Sequence, residues 1–474
     1  MSRRAKVICT IGPSCDSREK IFRLIRNGMD VARLNFSHGD HTSHAKAIEI
    51  LREGSERFGS PVAILQDLMG VKIRIGEVKD GSITLKKGRD IILMPGSGES
   101  DGERLYISYP KLLEDAKKGE RVLLDDGLIQ LEITKVEKDM VRAKVIEGGI
   151  LRSRKGVNLP FRLSMSTLTE KDIKDLEFGI EKGIDYVALS FVKKASDIMT
   201  LKNWLAAKEA DIPIIAKIER PEALEEIEEI MNRADGIMIA RGDLGVEVPP
   251  EEVPLIQKRL IDLANKKGKI VITATQMLDS MREHLRPTRA EVTDVANAII
   301  DGSDALMLSG ETASGMYPVE SLRMMNKIIS YTEKNQPSSI SLFREGRVVS
   351  DFPEAVADAA CRAAEDIRAR CIVAFTHSGF TALLVSKFRP TVPIIAFTPF
   401  ERVKRIMSLY WGVRPEIMRP LASTDEMIRE VETSLLQRNL VRRGDRIVIT
   451  ASIPVLGLGK TNMLKLHKIG EGFS

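Results

Sequence analysis

Two residues in the run Pro213-Ile214-Ile215-Ala216-Lys217-Ile218-Glu219-Arg220-Pro221 could do chemistry: Lys217 and Glu219. A short apolar run bounded by prolines reads as a buried strand. Side chains alternate along a strand, so Lys217 and Glu219 point to the same side. A cation and a carboxylate in an apolar surround are costly unless paired or used. Two readings follow. The pair is a structural ion pair, or Glu219 holds a metal ion while Lys217 faces a phosphoryl group.

The elements that must position this pair form a repeat. Short apolar strands are expected at residues 7–11, 31–34, 62–65, 186–190, 214–218, 236–240, 271–275 and 305–309, with helical spacing after each. Eight strand–helix repeats predict an α/β fold, a (β/α)8 TIM barrel, whose active sites form at the C-terminal strand ends. At those ends lie Asn35 and Ser37, Asp67, Lys217 and Glu219, Arg241 and Asp243, Thr275, and Ser309 and Glu311. Strand interiors are apolar and their ends are crowded with charge, which favours the site reading of Lys217 and Glu219.

Between the third and fourth strands the pattern changes. Short alternating runs at 83–85, 91–94, 122–124, 128–136 and 141–145 are separated by turns such as Asp125-Asp126-Gly127 and Glu147-Gly148-Gly149. They predict a small inserted β-barrel domain, and insertions at such loops often act as lids. A polar linker is expected near 336–351. Strands at 372–375, 394–397 and 447–450, alternating with helices, predict a C-terminal open αβ-sheet domain. The expected boundaries are 1–68 and 162–337 for the catalytic barrel, 69–161 for the all-β lid, and 338–474 for an α/β effector domain.

Composition sets outer limits. A chain of 474 residues is too long for one core, and 43% hydrophobic content without a long apolar run argues for a soluble protein with no membrane partner. The start, Met-Ser-Arg-Arg-Ala-Lys, has no secretory apolar region, so the cytoplasm is the expected compartment. Cys9, Cys15, Cys361 and Cys371 lack metal or redox spacing and read as free thiols. A net charge of +5 gives no reason to invoke nucleic acid.

The chemistry narrows from residue types. Glu219 and Asp243 are too few for a calcium cage and suit Mg²⁺ or Mn²⁺ with open positions for water and substrate. Ala240-Arg241-Gly242-Asp243-Leu244-Gly245 follows a strand, and its backbone N–H groups either hold an anion or simply form a βα turn. Arg33 and Arg74 carry planar forks suited to phosphoryl oxygens. Lysine, arginine and a divalent ion around one pocket describe phosphoryl transfer. His38 reads by default as a polar loop residue. Gly457-Leu458-Gly459-Lys460-Thr461 fails as a P-loop, because Pro454 stands where the pattern needs glycine.

These residues resemble those of the pyruvate kinase family, and the match runs over nearly the whole chain. It rests on Arg33-Leu34-Asn35-Phe36-Ser37-His38-Gly39, Lys155-Gly156-Val157-Asn158-Leu159-Pro160, Ile215-Ala216-Lys217-Ile218-Glu219, Ala240-Arg241-Gly242-Asp243-Leu244-Gly245-Val246-Glu247, Ala274-Thr275-Gln276-Met277-Leu278, Pro287-Thr288-Arg289-Ala290-Glu291 and Met307-Leu308-Ser309-Gly310-Glu311-Thr312. The resemblance implies phosphoryl transfer from phosphoenolpyruvate to ADP, giving pyruvate and ATP in glycolysis. It casts Lys217 as stabilising the moving phosphoryl group, Glu219 and Asp243 as metal ligands, and Arg33 and Arg74 as phosphate holders. The backbone of Ala240, Arg241, Gly242 and Asp243 would bind the substrate carboxylate. Thr275 would stand where the enolate is protonated, and Arg33, Asn35, His38 and Lys155 would lie on the nucleotide side. A homotetramer is also implied.

One departure bears on the monovalent cation. Many members read Asp-Thr-Lys-Gly-Pro-Glu-Ile-Arg and bind K⁺ through Asn, Ser, Asp and Thr; here the run is Asp67-Leu68-Met69-Gly70-Val71-Lys72-Ile73-Arg74. The ammonium of Lys72, beside Asn35, Ser37 and Asp67, would replace the K⁺ charge and repel a second cation, so activity without K⁺ is expected. In the C-terminal region, Thr376-His377-Ser378-Gly379-Phe380-Thr381 resembles an effector phosphate loop, or is a plain capped turn. Pro454-Val455-Leu456 stands where sugar-bisphosphate-regulated relatives carry Trp and Arg, which speaks against regulation by that ligand; a nucleotide or sugar monophosphate is the kind of phosphorylated effector the loop would suit. Two other readings compete: a lyase handling a phosphoenol or enolate with Mg²⁺, and a non-catalytic homologue. The presence of Lys217, Glu219 and Asp243 speaks against the second.

Overall fold

The computed structural model describes residues 3–335, 351–420, 423–452 and 460–471. Eight parallel strands form the scaffold: β1 (Lys6–Ile11), β2 (Val31–Asn35), β3 (Ala63–Asp67), β4 (Tyr186–Leu189), β5 (Ile214–Ile218), β6 (Gly236–Ala240), β7 (Ile270–Ala274) and β8 (Ala305–Leu308). They close into a barrel in chain order, β8 returning to β1. Val7 lies opposite Leu306, and Ile8 opposite Val31. β5 is buried at every position, Lys217 included, as a strand covered on both faces requires. Helix ends follow local chemistry. Asp40 and Ser43 close a capping box at the start of His41–Phe58, which ends on left-handed Gly59. Thr288 and Glu291 do the same for Arg289–Asp301.

By its contacts the chain falls into two compact units. One comprises Met1–Gln66, Lys182–Val187 and Ile261–Ser474; the other comprises Asp67–Glu181 and Ala188–Leu260. The second unit holds the inserted strands. Six of them form one sheet in the order Val157–Asn158, Arg121–Leu124, Ile129–Val136, Val141–Glu147, Asp90–Pro95, Arg104–Ile107. Its core packs Leu93, Leu105, Leu131 and Val141.

The first unit holds the C-terminal sheet: β9 (Ile372–Phe375), β10 (Ile394–Thr398), β11 (Val413–Ile417), β12 (Arg446–Ala451) and β13 (Met463–Lys468). Its order is β11-β10-β9-β12-β13, parallel except for the antiparallel β13. Among the described residues no helix is long and apolar enough to cross a membrane.

Three expectations are corrected. The seventh strand ends at Ala274, and Thr275 and Gln276 both turn left-handed (φ 69° and 53°). Spacing predicts a single acidic helix from Pro221 through Met231; the structure has two, Pro221–Glu225 and Ile227–Arg233, broken at Glu226, whose φ/ψ of −105°/19° leaves the helical well. β11 and β13 are additional strands that apolar patterning alone does not mark. The expected linker lies largely outside the described residues, as do Pro454-Val455-Leu456 and Gly457-Leu458-Gly459. All four cysteines are free and buried.

Candidate active site

The second unit brings a dense polar cluster to the C-terminal ends of its strands. The Lys217 ammonium donates to the Ser190 hydroxyl at 2.7 Å and pairs with Glu219 Oε1 at 2.8 Å and Asp67 Oδ1 at 3.2 Å. Lys217 and Glu219 do share one side of β5, and their side chains are nearly buried. Glu219 Oε2 accepts from the backbone N–H of Phe191 at 2.7 Å. Phe191 itself sits at φ 54°, a left-handed position that a phenylalanine adopts only under constraint. Ser190 also donates to the carbonyl of Leu68 at 2.7 Å.

The charges in this cluster act on one another. Burial pushes the Glu219 carboxyl up; Lys217 pulls it back, and the neighbouring Asp243 carboxylate pushes it up again. Asp243 is exposed on the short helix Arg241–Glu247, which starts directly after β6. Lys72 keeps solvent contact, yet its ammonium is held below the ordinary lysine range by desolvation and by Arg74. Asp243 and Asp126 oppose that shift, and Lys217 adds to it.

Of these groups Lys72, Asp243 and Phe191 line an open cleft, together with Asp126, Asn158, Lys193 and Glu247. At its edge the Glu247 carboxyl meets Arg220 and Asn158, each at 3.2 Å, and burial pushes it up to about 7. The chain returning from the inserted sheets is held by its backbone. Arg220 Nη2 donates to the carbonyls of Leu159 and Phe161, both at 2.9 Å. Lys193 Nζ donates to those of Leu163 at 2.9 Å and Met165 at 2.6 Å.

Lys217, Glu219, Asp67, Asp243 and Lys72 therefore belong to one electrostatic cluster. Arg74 acts on it through Lys72, and its own Nη1 donates to the Arg154 carbonyl at 3.0 Å. Lys155 pairs with Asp125 at 2.7 Å. Arg241 donates to Gln257 at 3.3 Å; Ala240 precedes the first turn of its helix and Gly242 lies within it. Ser190, Lys193, Arg220 and Glu247 were not singled out from sequence. Ser190 stands at the end of the fourth expected strand, so the strand-end rule would have found it.

The other expected residues lie in the first unit. Arg33 Nη1 donates to Thr10 Oγ1 at 3.0 Å. Asn35 Oδ1 accepts from the Ser37 N–H at 3.1 Å, and His38 is an exposed loop residue whose carbonyl meets His44 Nε2 at 3.0 Å. The Thr275 hydroxyl donates to the Ala274 carbonyl at 2.6 Å. In the C-terminal sheet, Thr376 Oγ1 accepts from the Gly379 N–H at 2.9 Å, and Ser378 Oγ from that of Phe380 at 3.4 Å. Gly379, at φ 90°, precedes the helix Phe380–Lys387, while the Thr381 hydroxyl meets Thr461 at 2.7 Å. His377 lies 6.0 Å from the Phe400 ring.

The chain is similar to known proteins over nearly its whole length. The family model for the pyruvate kinase barrel domain matches residues 2–322, and that for the pyruvate kinase alpha/beta domain matches 354–467. The chain belongs to the pyruvate kinase family. It is 45% identical to the pyruvate kinase of Geobacillus stearothermophilus, over 99% of this chain and 81% of the relative. The pyruvate kinase of Sporosarcina psychrophila is 44% identical, with the same coverage. A crystal structure of a pyruvate kinase from Cryptosporidium parvum superposes with a TM-score of 0.94 at 35% identity, covering 98% of this chain and 96% of that one. As a member of the pyruvate kinase family, the chain is a phosphotransferase.

Proposed function

We propose that this enzyme transfers the phosphoryl group of phosphoenolpyruvate to ADP, using Mg²⁺ or Mn²⁺ and no K⁺, as a step of glycolysis in the cytoplasm. The carrying observation is the Lys217 cluster. One ammonium is surrounded by Asp67, Glu219 and Ser190, while Asp243, which acts on Glu219, and Phe191, whose N–H Glu219 accepts, line an open cleft. Among the described residues no group of three or more His, Cys, Asp and Glu could hold a metal. Glu219 and Asp243 are two carboxylates close enough for Asp243 to disfavour ionisation of Glu219. A divalent ion would relieve that repulsion, so the residues fit it, and fewer protein ligands leave room for substrate oxygens.

When bound, the ion would neutralise charge on the substrate oxygens. Lys217 would supply positive charge to the phosphoryl group in flight, and Arg33 and Arg74 would orient its oxygens. The N-terminal turn of Arg241–Glu247 would hold the substrate carboxylate. Thr275 would guide the proton to the enolate carbon. Lys72 would fill the role of K⁺ near Asn35, Ser37 and Asp67, and its interaction with Asp243 and Lys217 supports that reading. Asn35, His38 and Lys155 would face the nucleotide. The inserted domain, residues 69–161, would close over the cleft and exclude water. The loop 376–381 would take a phosphorylated effector, and four copies would assemble.

The test is pyruvate formation from phosphoenolpyruvate and ADP with Mg²⁺ in K⁺-free buffer, with and without added K⁺. Equal turnover in both supports the whole reading. Turnover only with K⁺ removes the lysine argument and keeps the kinase.

A further inference from the structure

Glu311 is only 1% exposed, and the groups that shift its carboxyl are burial, backbone N–H groups and Asp279, with no cation among them. Its carboxyl is pushed up by burial and pulled back by backbone N–H groups. Oε1 accepts from the Leu278 N–H at 3.0 Å, and Oε2 accepts from the Ser309 N–H at 2.7 Å. A carboxylate buried without a cation is expensive, so a side chain held this way calls for a reason. Nothing in the phosphoryl-transfer scheme uses it.

The two amides that Glu311 holds belong to neighbouring rim segments. β7 and β8 pair in parallel, with Ala274 opposite Met307. Directly after Ala274 come Thr275 and Gln276, two consecutive non-glycine residues at positive φ. Both resist that conformation, because Cβ crowds the backbone there. Such a turn persists only where the surroundings over-determine it. Leu278, two residues beyond the turn, is fully buried and fixed by Glu311 Oε1. The other oxygen ties the same carboxylate to Ser309, the first residue past β8.

We propose that Glu311 is a positioning residue: it fastens the exit of the left-handed Thr275-Gln276 turn to the end of β8 and so sets the direction of the Thr275 hydroxyl. The inference rests on the reading that Thr275 serves enolate protonation. Glutamine in place of Glu311 keeps one acceptor oxygen, and its amide group cannot accept the second N–H. Aspartate keeps the buried charge but is too short to span both amides. Either change frees one end of the turn, and a misplacement of about 1 Å near the chemistry can cost up to 100-fold.

The experiment compares Glu311→Gln, Glu311→Asp, Thr275→Ala and the double variants of full-length enzyme. The readouts are kcat and KM for phosphoenolpyruvate, and hydrogen exchange at the pyruvate methyl group, which reports the protonation half-reaction alone. We expect Glu311→Gln to lower kcat and exchange by about 30-fold, with KM changed less than about twofold. In the Thr275→Ala background the same change should cost less than about threefold, because residues acting through one another are not additive. If Glu311→Gln does not fold, Glu311→Asp decides the same comparison. Equal losses in both backgrounds, or unchanged exchange in the Glu311 variants beside a slowed Thr275→Ala, overturn the clamp alone. Unchanged exchange in Thr275→Ala removes the role of Thr275 itself, and the clamp with it.

Discussion

Two buried lysines show how one side chain serves two ends. Lys387 is covered completely; it pairs with Asp304 and donates to Asn265 at 3.2 Å. Asp304 also takes Arg389 at 2.8 Å and the Val271 N–H at 2.8 Å, while Arg389 lies over the Trp411 ring. Cations at least match anions there, and no side is open. Lys217 has equally good partners, but they are in excess: Asp67 and Glu219 touch it, Asp243 acts on Glu219, and Asp243 lines a cleft. A closed cluster fixes structure. A cluster with surplus negative charge and an open face waits for cations and substrate.

The largest expected effect tests that contrast directly. Lys217→Met should lower kcat on the order of 10³-fold while the protein melts within a few degrees of the parent. Near-parent turnover would place Lys217 with the structural lysines. Next, Lys72→Glu should cut the K⁺-free rate by roughly 100-fold, with added K⁺ restoring most of it; a rate indifferent to K⁺ in both proteins would detach Lys72 from the cluster. Lys387→Met should do the opposite of Lys217→Met. Leaving Asp304 buried without its ammonium should cost about 3–5 kcal/mol by denaturant unfolding, with activity per folded molecule unchanged.

The smallest effect concerns Glu247. Its carboxyl is pushed up to about 7 by burial, against the pull of Arg220 and Asn158. The folded form thus binds a proton more tightly than the unfolded chain does. The stability this group contributes is full below about pH 4.5 and is lost as pH rises towards 7. Glu247→Gln cannot titrate, so its melting temperature relative to the parent should rise between pH 5 and pH 8. Parallel profiles would show that Glu247 stays ionised throughout.

The barrel was legible because its strands are short, mostly apolar runs that alternate with helical spacing, and the candidate site because charge collects where those runs stop. β11 was not, since Pro415 and Glu416 interrupt its pattern. It lies at the sheet edge, where a proline costs no ladder bond, and Glu416 is paired with Arg414 and Arg438. The two-residue strands Glu77–Val78 and Glu99–Ser100 are too short to alternate at all. Thr275 falls one residue past the strand that patterning extended to it, because its left-handed backbone is set by tertiary contacts that no local pattern carries. Lys193 and Arg220 escaped notice because their targets are peptide carbonyls, and any sequence supplies those.

That last feature has an evolutionary side. Lys193 and Arg220 grip every second carbonyl from Leu159 to Met165, and a carbonyl is the same whatever side chain it carries. Substitutions along this strap therefore leave the four hydrogen bonds in place so long as the peptide spacing survives, and what restricts the side chains is the apolar core that Leu159 and Phe161 enter. Loss or gain of one residue is different: it would shift the phase of the carbonyls past both cations at once. The grip of Lys193 and Arg220 thus constrains the length of this segment, and the core constrains its letters.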